Sequence, residues 1–244
     1  MKKSAFLALT IFSLLAAPAW AHFVWIATAP NAAGKPAVHI LFGEDAIACE
    51  ANLLDNVKHT KVWAHEPGKA PVEVTLEKEI KGENGTWTAA AEGPKKAYTA
   101  TCEYGISSRG KDHYLLVYHA KHIDATEPEL LKNYARVESM KLDIVPTING
   151  EEGELQVLFN GKPAAKAQVM IWTPDKYEKE TEQFTDDNGK VKFKANQKGL
   201  WQIRARHQND VAGKRGEKEF PFERHYTTLV LKNGEVKAET AATK

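Results

Sequence analysis

The chain has 244 residues, with 33 Lys and Arg set against 32 Asp and Glu, and two cysteines. So balanced a charge excludes the long-range attraction by which proteins gather on nucleic acid or on anionic membrane surfaces. The length allows one large or two ordinary domains, each with a hydrophobic core.

Lys2 and Lys3 give a cationic start, and 5–17 is an apolar run interrupted only by Thr10 and Ser13. Pro18 breaks it, and Ala19-Trp20-Ala21 has the small-x-small form that signal peptidase reads. A run this short does not span a bilayer, which takes about 20 apolar residues. The expectation is a signal peptide over 1–21 and a protein released into a Gram-negative-type periplasm without membrane insertion. The mature chain then begins with His22, and loss of the two lysines moves the formal charge from +1 to −1.

Beyond the leader, apolar residues alternate with period two, the pattern of half-buried strands. Strands are predicted over 37–43, 61–64, 72–76, 86–90, 97–105, 113–120, 141–148, 155–159, 191–193, 201–205 and 226–231. Turn residues separate them at Glu66-Pro67-Gly68, Gly82-Glu83-Asn84-Gly85, Asp186-Asp187-Asn188-Gly189 and Asn233-Gly234. The mixed-charge segments 77–81 and 176–182 read as solvated strand ends and loops. One helical turn is predicted over 127–134, with Thr126 as its cap.

The fold class this implies is all-β, two linked β-sandwiches. Asn149-Gly150-Glu151-Glu152-Gly153 reads as the boundary between domains at 22–148 and 154–235, with 236–244 a disordered tail. Cys49 and Cys102, an even pair in an oxidising compartment, predict a disulfide. The loop it closes, about 54 residues, would contribute roughly 4 kcal/mol on the chain-entropy model.

His22 is the most informative residue for chemistry. As residue one it holds an imidazole and an α-amino group, and the amine's reference pKa of about 7.7–8.0 lets a metal displace its proton far more readily than from lysine. The two nitrogens form a chelate. One further imidazole would complete a T-shaped three-nitrogen site suited to copper or nickel. His207 continues the inward parity of Trp201, Ile203 and Ala205 to a strand end, and is the first choice for that imidazole. His119, in a histidine-rich strand with His113, is the second. The expected geometry brings His22, His207 and His119 to a common point.

Two resemblances bear on this. Gly161-Lys162-Pro163-Ala164-Ala165, Val169-Met170-Ile171, Thr185-Asp186-Asp187-Asn188-Gly189-Lys190-Val191 and Gly199-Leu200-Trp201 resemble the transthyretin-like or carboxypeptidase-regulatory-like sandwich module. The opening His22-Phe23-Val24-Trp25-Ile26 resembles that of a periplasmic domain-of-unknown-function family whose members are described as accessories to nickel or cobalt uptake, the NikK-like group. Phe23 stands where that family more often has an acid. Its pattern of glycine, leucine, tryptophan and a later histidine matches Gly199, Leu200, Trp201, Arg204, Ala205 and His207. The resemblance implies that His22 and His207 are metal ligands.

No serine elbow, zinc-protease helix, phosphate loop or dinucleotide fingerprint is present. The expected function is non-enzymatic: a periplasmic protein that binds nickel, cobalt or copper and assists uptake or delivery, with a metal permease complex as the expected partner. The alternatives are a copper-dependent oxidative enzyme of histidine-brace type and a structural or carbohydrate-binding sandwich.

Overall fold

A computed structural model describes residues 22–91, 95–109, 111–175 and 180–234. The predicted signal peptide and tail lie outside the described residues. From the N-terminus the strands are β1 (Phe23–Pro30), β2 (Pro36–Gly43), β3 (Cys49–Glu50), β4 (Lys61–His65), β5 (Val72–Glu73), β6 (Glu77–Lys81), β7 (Asn84–Ala90), β8 (Ala97–Arg109) and β9 (Asp112–Asp124). A 3-10 turn, Ala51–Val57, sits between β3 and β4. Helix α1 (Pro128–Tyr134) precedes β10 (Leu142–Asn149), β11 (Glu152–Phe159), β12 (Lys162–Pro163), β13 (Gln168–Trp172), β14 (Glu180–Phe184) and β15 (Lys190–Lys194). Then come β16 (Gly199–Asn209), β17 (Gly213–Arg215), β18 (Lys218–Phe220) and β19 (Glu223–Asn233).

The fold is mostly β, as the alternation predicts, and it stacks in three layers. The middle layer is an eight-stranded sheet in the order β14-β13-β16-β19-β9-β8-β4-β5. A five-stranded sheet, β1-β2-β7-β3 with β6 on β7, covers one face. The other face packs against a four-stranded sheet, β10-β11-β12 with β15 on β11. Side-chain parity divides the interior accordingly. Tyr114, Leu116, Tyr118 and Ala120 of β9 enter the first core with Val24, Ile26 and Ile40. Ile123 of β9, Ile203 of β16 and Leu229 and Leu231 of β19 enter the second with Ile144, Leu155 and Val157. Because both faces of β9 are covered, 114–124 is buried at every position, a near-continuous run rather than a clean alternation. Trp25 and Trp201 are the largest of the fully buried side chains, and burial of such a side chain contributes about 1.5–3 kcal/mol.

The two sandwiches therefore share one sheet. β19, from the second half of the chain, pairs in parallel with β9 from the first, from Glu223↔Leu115 to Lys232↔Asp124. The stretch read as a linker is the turn of the β10–β11 hairpin: Asn149 pairs with Glu152, and Gly150 adopts φ +63°. A polar glycine-bearing stretch serves a tight turn as well as a boundary, and only the long-range pairing separates the two. Helix α1 forms where predicted, but Thr126 is not its cap. Its hydroxyl and amide both bond Asp124, and Glu127 occupies the cap position without a side-chain bond. Of 72–76, only Val72–Glu73 pairs as strand.

Candidate functional site

His22 directly precedes β1, and β1 pairs with β2 along its whole length from Phe23↔Gly43. The His22 carbonyl accepts a hydrogen bond from the hydroxyl of Tyr118 at 2.9 Å. Burial pushes the Tyr118 phenol well above its ordinary range, so it remains a donor. The half-buried His22 ring lies 5.3 Å from that of Phe42. The next residue, Phe23, is clamped between Tyr226, ring centroids 4.9 Å apart, and the guanidinium of Arg204, 3.9 Å above its ring. The fold thus holds His22 at a defined place on the first core's side of the middle sheet.

His119 and His207 occupy the opposite face. Tyr118 and His119 are consecutive on β9 and so point to opposite sides. His119 is 2% exposed, and its Nε2 lies 3.3 Å from Nδ1 of His225. His225 Nε2 lies 3.0 Å from Oε2 of Glu223, and His119 Nδ1 lies 3.4 Å from the Thr101 hydroxyl. A carboxylate only accepts, and burial keeps His225 neutral, so the two together set the direction of this chain of bonds. His225 donates through Nε2 to Glu223 and accepts at Nδ1 from His119 Nε2–H. His119 in turn accepts at Nδ1 from the Thr101 O–H. The His119 and His225 rings are within 11° of parallel with centroids 5.6 Å apart. A 3.3 Å nitrogen separation plus about 1.2 Å from each nitrogen to its ring centre gives the same span, so the rings meet edge to edge. Both imidazoles are neutral in this arrangement.

Burial keeps them so. It lowers the His119 pKa to about 3, helped by the neighbouring His225 and Lys141. Burial also lowers that of His225, against the pull of Glu223. Burial pushes the Glu223 carboxyl up, but bonds from His225 and from Asn209 at 2.9 Å hold it below the usual range. His207 stands opposite His225 in the β16–β19 register, its ring 4.5 Å from Phe159.

The structure therefore brings His119 and His207 together, with His225 between them, and leaves His22 across the sheet. The expected convergence of His22, His207 and His119 is not formed. Among the described residues no group of three or more His, Cys, Asp or Glu is arranged to hold a metal ion. Sequence reasoning missed His225 and Tyr118. The parity of His225 with Leu229 and Leu231 was the available signal for its inward face.

The cysteines also differ from expectation: Cys49 and Cys102 are buried free thiols, not a disulfide. Cys49 belongs to β3 in the covering sheet, and Cys102 to β8 in the middle sheet. The Cys102 sulfur lies 3.4 Å from His59 Nε2 instead. Elsewhere in the interior, Lys121, 1% exposed, forms an ion pair with Asp143 and donates to the Ala135 carbonyl at 2.5 Å. A cleft of about 350 Å³ beside Trp87 is lined by Lys58, Thr60, Glu73 and Leu76 among others.

A mostly-β chain with His22 held at the head of β1 is thus defined. It belongs to the DUF4198 family, a domain of unknown function, whose family model matches residues 19–209. No curated protein matches it. Among solved structures it is similar to the crystal structure of pullulanase complexed with maltotriose from Anoxybacillus sp. LM18-11, at 13% identity over 75% of this chain and a TM-score of 0.22. The match covers 24% of that chain, so this protein spans about a quarter of its length.

Proposed function

We propose that this is a periplasmic protein that binds a divalent transition metal (nickel, cobalt or copper) through the mature N-terminal His22 and assists its uptake or delivery, with a metal permease complex as the receiver. The observation that carries this reading is the anchoring of His22. A buried tyrosine grips its carbonyl at 2.9 Å and Phe42 abuts its ring, whereas chain termini are ordinarily loose. The amine and imidazole freed by cleavage after Ala21 would then be presented at a fixed position. The resemblance of the opening to the NikK-like group supports the same reading.

With His119 and His207 across the sheet, the remaining metal positions are left to water or to a receiving protein, which suits a carrier. A two-nitrogen site follows the Irving–Williams order, so copper binds tightest in vitro whatever the cargo. The test compares the mature protein starting at His22 with one that retains Ala21. The first is expected to bind one nickel or copper ion about tenfold or more tightly than the second, because the extra residue converts the amine to an amide. Equal affinities would overturn the reading, as would a mature chain whose intact mass shows a start other than His22.

A further inference from the structure

We infer that His119 and His225 form an internal site for one cuprous ion, independent of His22 and on the opposite face of the middle sheet. Nε2 of His119 and Nδ1 of His225 face each other across 3.3 Å, with the rings within 11° of parallel. Two imidazole nitrogens about 2.0 Å from a metal stand about 4 Å apart when the three atoms are in line, and closer when they bend. The pair therefore needs to part by no more than about 0.7 Å to admit an ion.

The outer ring nitrogens are already held. Glu223 accepts from His225 Nε2 at 3.0 Å, and the Thr101 hydroxyl lies 3.4 Å from His119 Nδ1. Outer partners of this kind orient metal-binding imidazoles. Thr227 adds an observation of its own. It pairs with His119 between β9 and β19 and stands two positions from His225, so its side chain shares their face. It is wholly buried, yet its hydroxyl has no hydrogen-bond partner among the described residues. Buried polar groups are ordinarily satisfied, and a cation held by the flanking imidazoles gives this oxygen a charge to face.

Charge and burial select the ion. The chain of bonds ends on one carboxylate, Glu223, which balances one positive charge and not two. The cost of burying an ion rises with the square of its charge, and Lys141, an exposed cation that acts on both rings, adds to the penalty on a divalent ion. Imidazole suits copper, and a cuprous ion is held by two donors, so the pair suffices although no group of three is formed among the described residues. Binding releases no proton. The proton on His119 Nε2 moves to Nδ1 and is donated to the Thr101 oxygen, which accepts as readily as it donates. Nε2 then gives its lone pair to the ion.

The test titrates mature His22→Ala protein, without oxygen and under excess ascorbate, with Cu(I) in competition with bicinchoninate. One Cu(I) per chain is expected, bound at least about tenfold more tightly than Ni(II). His119→Gln and His225→Gln should each weaken Cu(I) binding about tenfold or more, and Glu223→Gln by about tenfold. The buried thiols Cys49 and Cys102 are the competing soft donors, and both belong to the first core. Replacing both with serine should change Cu(I) affinity less than about twofold. Circular dichroism checks folding. A readout on the chain with its histidines and cysteines unchanged needs no variant: the ring-nitrogen NMR signals of His119 should show the proton passing from Nε2 to Nδ1 as Cu(I) is added. Binding that survives His225→Gln, disappears with the cysteines or is matched by Ni(II) would overturn the inference, as would unmoved His119 signals. His225→Gln should leave nickel binding at His22 intact, so the two ideas fail separately.

Discussion

His119 donates its Nε2–H to Nδ1 of His225 across 3.3 Å, deep between the middle sheet and the β10–β11–β15 layer. Burial keeps both rings neutral, which ties the stability of the fold to pH. Burial takes the His119 pKa from 6.5 to about 3. The unfolded chain therefore binds the proton more readily than the folded one between those values. Stability is full above about pH 6.5 and is lost as the pH falls toward about 3. His119→Phe should reduce the slope of unfolding free energy against pH by about 1.4 kcal/mol per pH unit in that window. Urea midpoints measured from pH 7 to pH 4 check this, and an unchanged slope would show that His119 is already charged in the fold.

Lys121 and Asp143 supply a second buried test. Burial lowers the lysine's pKa and raises the carboxyl's, while each favours the charged form of the other. Lys121→Met alone strands Asp143 and should cost about 3–5 kcal/mol. Adding Asp143→Leu should recover much of that loss. Recovery will be partial, because Asp143 also accepts from the Val137 amide at 2.9 Å. A double-mutant cycle by denaturant unfolding gives the coupling.

The cysteines predict a labelling pattern. Both are thiols, and burial pushes Cys102 up to about 11. Native protein at neutral pH should react slowly at Cys102 with a maleimide, and denatured protein should titrate two thiols. A mass two hydrogens lighter, with no reactive thiol in denaturant, would restore the disulfide.

Backbone strain separates two glycines. Gly189 adopts φ +73° and a Cβ there would stand 2.6 Å from the Val157 carbonyl oxygen, whereas Gly150, at φ +63°, has nothing within 4 Å. Gly150→Ala should cost about 1 kcal/mol, the left-handed strain alone. Gly189→Ala should cost more, by about a further 1–3 kcal/mol. Thermal midpoints rank the two.

What was legible in the residues was local. Alternation in Leu155-Gln156-Val157-Leu158-Phe159 and Trp201-Gln202-Ile203-Arg204-Ala205 gave β11 and β16, and the parity of His207 gave its face correctly. His22 was visible, but not the tyrosine that anchors it, since Tyr118 lies 96 positions away. The partnership of His119 with His225 was hidden for the same reason. It arises from the parallel pairing of β9 with β19, which no local period encodes. The 149–153 turn was misread because Gly and Asn carry the same signal in a hairpin as in a boundary.

The placement of β19 has a consequence in time. Among the described residues it is the last strand, yet it lies between β16 and β9 in the middle of the largest sheet. A chain made from its N-terminus cannot close that sheet until residues 223–233 have emerged. Until then β9 presents a bare edge with unpaired amides and carbonyls, the kind of edge that recruits other chains. Completion of the middle sheet is therefore a late event, and a nascent protein of this kind depends on being kept apart from its copies until β19 arrives.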